Sequence, residues 1–205
     1  MAAPPRGGVG AWPSAAQQTI IHGDPKAPNL FFRHRDGAGG PGDEPGQPID
    51  VGLIDMQWCG RGLGAVDVAY CIAASADESL FAGRDARAAV QGLAAGYHRA
   101  LLLGLVAHGA AADPAAAAAL LPAADFQVQL EWAWIDLARV AVGDHMGSIT
   151  KAALEARRGQ MAFNAYNKSL PVARALLEVA DRYLRARESA AARDAMLAKM
   201  AEARA

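Results

Sequence analysis

Cysteine is scarce in this chain of 205 residues, which contains only Cys59 and Cys71. Two cysteines are too few for a disulfide framework, and their spacing matches no metal-binding motif, so we predict a reducing compartment and a cytoplasmic protein. An excess of one charge is also lacking, because 20 Lys and Arg stand against 21 Asp and Glu, a formal net charge of −1. A nearly neutral chain has no electrostatic footprint for nucleic acid, and we expect no nucleic-acid partner.

Long hydrophobic runs are missing as well. No stretch of about 18 apolar residues is free of charge or proline, so we expect no transmembrane helix and no membrane partner. Residues 1–18 contain glycine and proline where a signal peptide has an apolar core, and we predict a disordered or non-native segment there. The remaining length suits one domain.

Residues with the chemistry of phosphoryl transfer occur early in the chain. Asp24 lies two residues after His22 and five residues before Asn29, and Asp55 follows in the apolar segment 51–57. Phosphoryl transfer from ATP needs a carboxylate that orients the acceptor hydroxyl, with an amide and a carboxylate that hold Mg²⁺. Each residue alone has a simpler interpretation, since Asp24 precedes a proline and suits a turn, and Asp55 suits a cap after its strand.

The spacing predicts that the two metal-ligand candidates meet. Residues 29–33 are short, apolar and aromatic, and residues 49–56 form a second apolar segment, so both are predicted strands. Residues 34–48 between them are rich in glycine and proline and predict a loop. In an antiparallel hairpin the start of one strand lies beside the end of its partner, which brings Asn29 to Asp55. Amide and carboxylate oxygens suit Mg²⁺.

Three motifs in this order resemble one family. The segment 22–29 matches the H-x-D-x-x-x-x-N catalytic loop of the protein-kinase-like fold, and Ile54-Asp55-Met56-Gln57 is similar to the I-D-F-Q or I-D-W-E metal motif of its small-molecule branch. Gly64-Ala65-Val66-Asp67-Val68-Ala69-Tyr70 resembles the G-x-x-x-D-L-A-Y segment that follows. That branch includes aminoglycoside phosphotransferases, choline kinases and ecdysteroid-kinase-like proteins. The resemblance implies an ATP- and Mg²⁺-dependent kinase of a small-molecule hydroxyl.

The resemblance also implies roles for individual residues. Asp24 is the catalytic base or hydroxyl-orienting group, and Asn29 and Asp55 are the metal ligands. Lys26 occupies the position of a lysine that contacts the transferred phosphate, although a solvated loop lysine explains it equally well.

Two further residues are expected to support the loop. His22 holds it through hydrogen bonds, and Asp67 accepts bonds from its backbone N–H groups. Gln57 and Arg61 are weaker candidates for substrate contact, with surface roles as the simpler interpretation.

The predicted fold is mainly α with a small β-hairpin, an α+β arrangement that resembles the C-terminal lobe of a kinase, at residues 19–185. The short segment before Asp24 has no Gly-rich nucleotide loop and no strand lysine, so we expect the N-terminal lobe to be absent, or supplied by a partner chain. A non-catalytic pseudokinase-type interaction domain is the alternative function. A metal-dependent hydrolase using His22, Asp24 and Asp55 is a weaker one, because such sites need more ligands.

Hydrophobic periodicity predicts a helical subdomain over residues 67–185. A helix starts at Asp67, and residues 108–124 form a loop with a short helix. Ser169 caps the helix that follows it, which has Val172, Leu176, Val179 and Tyr183 on one face. Residues 186–205 form an alanine-rich helix or tail. A helix is predicted over residues 85–105, with an inward face of Val90, Leu93, Tyr97, Leu101 and Leu105. A second helix is predicted over residues 126–142 and is stopped by Gly143; its inward face is Phe126, Leu130, Trp134, Leu137 and Ala141. A third helix is predicted over residues 151–164.

The acceptor itself is not specified by the sequence. Acidic residues near the cleft would favour a cationic acceptor, and the candidates are Asp125, Glu131, Asp136 and Asp144. Asp136 lies nearest the predicted core face, although a solvated helix charge is the simpler interpretation of each. His145, beside Asp144, is a weaker substrate-contact candidate, and His98 and His108 are expected to be core or surface residues.

Overall fold

The computed structural model describes residues 17–34, 49–147 and 149–202. These residues are mainly helical and contain two small antiparallel sheets. The strands are β1 (Thr19–Ile21), β2 (Leu30–His34), β3 (Ile49–Leu53) and β4 (Gly60–Gly62). The helices are α1 (Gly64–Ser75), α2 (Ala86–Ala107), α3 (Pro114–Leu120), α4 (Ala123–Val140), α5 (Lys151–Ala156) and α6 (Leu170–Glu202).

The predicted hairpin is confirmed. β2 and β3 pair antiparallel, with Leu30 opposite Leu53 and His34 opposite Ile49. β3 ends three residues earlier than predicted, because Asp55 adopts a left-handed backbone (φ 62°) and leads into a 3₁₀ turn. The predicted 34–48 loop lies, from residue 35 onward, outside the described residues.

A second two-stranded sheet was not predicted. β1 and β4 pair antiparallel, with Ile21 opposite Gly60 and Thr19 opposite Gly62. Strands of three residues are too short to show an alternating pattern, which is why periodicity did not find them. The pairing matters because it brings the chain just before His22 next to the chain just after Asp55.

The core forms where α1, α4 and α6 pack together. Along α1 every fourth residue is a fully buried alanine: Ala65, Ala69 and Ala73. Small side chains let the neighbouring helix approach closely, and α4 supplies the bulk with Trp134, whose indole N–H donates to the Leu176 carbonyl at 3.0 Å. The inward face predicted for α6 is confirmed by its buried residues Val172, Leu176, Val179 and Tyr183.

The inward face predicted for α2 is wrong in part. Val90 is buried, but Leu93 is 46% and Tyr97 38% exposed. The buried row of α2 consists of Ala86, Val90, Ala94 and His98. His98 is buried because its Nε2 pairs with the Leu121 carbonyl at 2.9 Å and its ring stacks on Phe126. A prediction from side-chain hydrophobicity alone therefore identified the wrong buried face of α2, because the helix packs closely through its alanines.

Three helix boundaries also differ from prediction. α1 begins at Gly64, three residues before Asp67. Gly143 does not stop α4, which continues as a π-helical turn to Met146, because glycine in a helix costs only about 1 kcal/mol and does not forbid it. α5 ends at Ala156, well before residue 164, because the chain turns at Gly159, whose φ of +76° is left-handed.

The remaining predictions concern the ends and the middle of the chain. Pro114 and Asp113 begin the short helix α3, and Ser169 precedes α6 with its Oγ 3.5 Å from the Val172 N. α6 continues through residue 185 to Glu202, so the tail begins as an exposed helix. The segment 1–18 lies almost wholly outside the described residues. None of the described helices is long and apolar enough to cross a membrane.

Candidate functional site

The loop between β1 and β2 is held by hydrogen bonds to side chains of α1. The backbone N–H of His22 donates to Asp67 Oδ2 at 2.7 Å, and that of Gly23 donates to Asp67 Oδ1 at 3.0 Å. Further along, the Ala27 N–H donates to Ser75 Oγ at 2.7 Å. The Asp67 carboxylate thus makes the backbone bonds expected of it, and one helix fixes the loop at two points.

His22 links the loop to the end of the hairpin. Its ring is buried, and the Asp24 N–H donates to its Nδ1 at 3.3 Å. Because a backbone N–H can only donate, Nδ1 is the acceptor and Nε2 carries the proton, which it donates to the Ile54 carbonyl at 2.9 Å. Both ring nitrogens are engaged, so His22 orients the loop and is not placed to bind a metal.

Gly23 is required by its surroundings. Its φ is +84°, and a Cβ on it would lie 2.4 Å from the Trp58 carbonyl oxygen. Any side chain would force the loop away from the turn that follows Asp55. The two motif segments therefore touch through their backbones at this glycine.

Asp24 is the centre of the site. It is only 6% exposed, and its Oδ2 accepts from Lys26 Nζ at 2.6 Å and from Asn29 Nδ2 at 3.2 Å. Asn29 Nδ2 also donates to the Asp24 carbonyl at 2.9 Å. Among the described residues no group donates to Asp24 Oδ1, although this oxygen is buried. One carboxylate oxygen is thus fixed and the other is left without a partner.

The hairpin brings the two expected metal ligands into register. The Ile54 N–H donates to the Asn29 carbonyl at 3.1 Å, so Asp55 is the residue directly after the partner of Asn29. The Asn29 side chain is buried with its nitrogen turned to Asp24, which leaves its amide oxygen available. The Asp55 carboxylate is exposed and does not cap the turn after it. These two oxygens suit Mg²⁺, which takes its other ligands from water and phosphates.

The structure was also searched for a metal site built from three protein side chains. The described residues contain no group of three His, Cys, Asp or Glu side chains arranged to hold one metal ion. The hydrolase interpretation needed His22, Asp24 and Asp55 as such a group. It is not supported, because His22 is fully hydrogen-bonded as well.

Sequence reasoning missed an aromatic group beside Asp24. Asn164 Nδ2 donates to the hydroxyl of Tyr70 on α1 at 3.1 Å and to that of Tyr166 at 2.9 Å. Burial raises the pKa of both phenols. Asp24 raises the pKa of Tyr70 further, as a hydrogen-bond acceptor and by its negative charge, and raises that of Tyr166 by its charge. Tyr70 stood in the third motif, but nothing in the sequence linked it to residues about ninety positions later.

The acidic candidates for an acceptor site are engaged elsewhere or exposed. Asp125 accepts from Gln17 Nε2, and Glu131 pairs with Arg187 at 2.7 Å. Asp136 does not lie at the core face, since its side chain is 68% exposed and pairs with Arg139. Asp144, Gln57 and Arg61 are also exposed, and the His145 side chain lies outside the described set. None of these contacts favours a cationic acceptor.

No protein-family model, no curated protein and no solved structure matches the chain. The likeness to kinase-like enzymes therefore remains one of motifs. The function has to be argued from the site itself.

Proposed function

We propose that this chain carries the acceptor- and metal-binding part of an ATP- and Mg²⁺-dependent phosphotransferase that acts on a small-molecule hydroxyl. The observation that carries the proposal is the buried carboxylate of Asp24, whose Oδ2 is held by Lys26 and Asn29 while Oδ1 has no hydrogen-bond partner among the described residues. A buried oxygen without a partner costs about 1–3 kcal/mol. Such an oxygen calls for an explanation, and a ligand that donates to it is the simplest one.

An acceptor alcohol is the ligand that fits this oxygen. The alcohol O–H donates to Asp24 Oδ1, its oxygen attacks the γ-phosphorus of ATP, the bond to ADP breaks, and the proton passes to the carboxylate. The bonds from Lys26 and Asn29 to Oδ2 hold the carboxylate in one orientation. Phosphoryl transfer relies on such positioning more than on covalent chemistry by the protein.

Mg²⁺ would be held by the amide oxygen of Asn29 and the carboxylate of Asp55. When bound, the ion neutralises charge on the phosphates of ATP. Lys26 supports the same assignment, because its side chain is 29% exposed and its ammonium lies against Asp24, where it also adds positive charge for the transferred phosphate. The fold we propose around these groups is the C-terminal lobe of a protein-kinase-like fold.

Mn²⁺ in place of Mg²⁺ tests the metal site, because its paramagnetism enhances water-proton relaxation when it binds. We expect the chain to bind Mn²⁺ weakly, and Asp55→Asn and Asn29→Leu to abolish most of that binding. Asp136→Asn removes an exposed carboxylate elsewhere and serves as the matched control. Unchanged Mn²⁺ binding in both site variants would refute the metal assignment.

Nucleotide binding by the same chain is expected to be weak. The described strands form only two-stranded sheets, and none supplies the five-stranded nucleotide lobe that the family resemblance implies. Calorimetry with Mg-ATP should show a Kd no tighter than roughly 1 mM, about 4 kcal/mol. Where transfer of labelled γ-phosphate to an alcohol is measurable, Asp24→Asn should slow it by about 10²–10⁴-fold while sparing Mn²⁺ binding.

A non-catalytic interaction domain is the second candidate. It is favoured by large apolar side chains that the two small sheets leave exposed, among them Ile20 at 75%, Phe32 at 63% and Trp58 at 66%. Contiguous exposed apolar surface marks protein–protein contact. A chain that associates through this surface, loses association in Phe32→Gln, and keeps full association in Asp55→Asn without binding Mn²⁺ would favour this function over catalysis.

A further inference from the structure

The outer edge of β3 is open to pairing with another strand. The Ile54 N–H donates to the Asn29 carbonyl at 3.1 Å, which makes these two residues a hydrogen-bonded pair of the antiparallel ladder. Hydrogen-bonded and non-hydrogen-bonded pairs alternate along such a ladder, so the backbone N–H and C=O groups of Ile49, Val51 and Leu53 point away from β2. Within the described part of the chain, β3 pairs with β2 alone. A row of outward backbone groups is a template for a further strand.

The side chains along this edge are apolar and accessible. Side chains alternate between the two faces of a strand, so Ile49, Val51 and Leu53 lie on one face, and each is about half exposed. The charged residue of β3, Asp50, lies on the opposite face and pairs with Arg33 of β2 at 3.2 Å. β3 contains neither lysine nor proline, the residues that commonly keep edge strands from pairing. The edge therefore lacks these two protections against a second apolar strand.

A second copy of β3 is complementary to this edge. In an antiparallel pairing about a two-fold axis at Val51, Ile49 lies opposite Leu53 of the second copy, and Asp50 lies opposite Gly52 of the second copy. Every outward backbone group of β3 then meets an outward group of the second copy, and apolar side chains face apolar side chains across the new pair. Because the charge of the strand faces a glycine, the pairing places no like charges directly opposite each other.

Other registers are less favourable. A shift that centres the pairing on Asp50 places this carboxylate directly opposite its own copy, and like charges in that position destabilise a sheet. The corresponding shift in the other direction places Ile49 opposite the exposed Asp55 of the second copy. A slip of one residue turns the apolar face of one copy to the side that carries Asp50 in the other. The sequence of β3 thus favours the register centred on Val51.

We infer that the chain forms a two-fold dimer in which β3 pairs antiparallel with β3 of a second copy. The pairing joins two two-stranded sheets into one, and a sheet of three or more strands with an apolar face is more stable in water than a single hairpin. The inference names an occupant for part of the exposed apolar surface of the hairpin. It does not depend on phosphoryl transfer, because the residues proposed to bind the acceptor and Mg²⁺ lie outside Ile49–Leu53.

Sedimentation velocity of the full chain over a concentration series measures the dimer. We expect a reversible monomer–dimer equilibrium with a Kd in the micromolar range, since an interface of one strand pair is small. Val51→Lys should weaken dimerisation by roughly 100-fold, because two valines per dimer lose their burial and two lysines oppose each other. Val142→Lys adds the same charge at an exposed valine after α4 and should leave the Kd unchanged.

Charge pairs at the flanking positions test the register. In Ile49→Lys/Leu53→Glu the new charges that face each other across the pair have opposite signs, and in Ile49→Lys/Leu53→Lys they are alike. The first double variant should dimerise about tenfold more tightly than the second. The reversed variant, Ile49→Glu/Leu53→Lys, should match the first. Since positions 49 and 53 lie about 13 Å apart along one strand, this difference requires a second copy.

The outcomes separate β3 pairing from other modes of association. A chain that stays monomeric at every concentration of the series, or a dimer that Val51→Lys leaves intact, would overturn the inference. A dimer that is lost in Phe32→Gln and retained in Val51→Lys would place the contact on β2 and also overturn it. Equal dimerisation of the oppositely charged and like-charged double variants would refute the pairing of β3 with β3. Loss of the dimer in Val51→Lys, together with tighter association of the oppositely charged variants, would support it.

Discussion

Replacing Asp67 by alanine should destabilise the whole domain and loosen the loop at residues 22–29. The carboxylate accepts two backbone bonds, from His22 at 2.7 Å and Gly23 at 3.0 Å. A hydrogen bond to a charged group contributes about 1.5–3 kcal/mol. Asp67 also lies in the first turn of α1, where a negative charge adds about 0.5 kcal/mol. Since the loop is only partly buried and water can replace some of this, we expect a loss of about 3 kcal/mol.

Urea unfolding with linear extrapolation measures this loss. Asp67→Asn keeps one acceptor oxygen but places an amide NH₂ group against the other backbone donor. Its free energy of unfolding should therefore lie between those of the wild type and of Asp67→Ala. Asp125→Ala measures the effect of a charge in the first helical turn by itself, because Asp125 lies in the first turn of α4 and its hydrogen bond within the described part of the chain is to the Gln17 side chain. It should cost less than about 1 kcal/mol. Equal losses in Asp67→Ala and Asp125→Ala would show that the loop does not depend on the carboxylate.

Two further predictions concern backbone strain and pH. Gly23→Ala should cost about 2–4 kcal/mol, because it adds a Cβ at a left-handed φ and 2.4 Å from a carbonyl, whereas Gly60→Ala, with no atom near its Cβ, should be close to neutral in the same urea assay. The Arg182 guanidinium, and then the Ala88 N–H, hold the pKa of Asp85 below its usual value. The Asp85 carboxylate therefore stabilises the fold at pH values above its pKa in the unfolded chain, and this contribution is lost as the pH falls through its lower pKa in the folded protein. The Asp85→Asn variant should be less stable than wild type at about pH 6, and the two stabilities should become similar in strong acid. A stability difference independent of pH would count against this linkage.

The features that could be predicted from the sequence are those fixed by local spacing. Asn29 and Asp55 are brought together by an antiparallel hairpin, whose register follows from two apolar segments. The inward faces of α4 and α6 follow from large apolar residues at helical spacing, such as Trp134 and Leu176. In both cases the signal and the structure depend on the same few neighbouring residues.

The features that escaped prediction depend on distant partners or on small residues. The bond from Asn164 to Tyr70 joins positions 94 apart, and one sequence carries no signal for such a pair. α2 buries Ala94 and His98 instead of Leu93 and Tyr97, because close helix packing and one carbonyl acceptor outweigh side-chain hydrophobicity there.

The geometry of the candidate site is set by α1 more than by the loop that carries the motif. Asp67, Tyr70 and Ser75 lie along about 12 Å of this helix. Asp67 holds the start of the loop, Tyr70 interacts with the carboxylate of Asp24, and Ser75 holds the end of the loop. The opposite side of α1 is its row of buried alanines against α4, so the helix cannot shift without opening the core. If the loop were detached from α1, it would be free to rearrange so that both oxygens of the Asp24 carboxylate are hydrogen-bonded. The unpaired oxygen is thus a product of the packed helices, which is the arrangement expected where a fold holds a reactive group ready for a ligand.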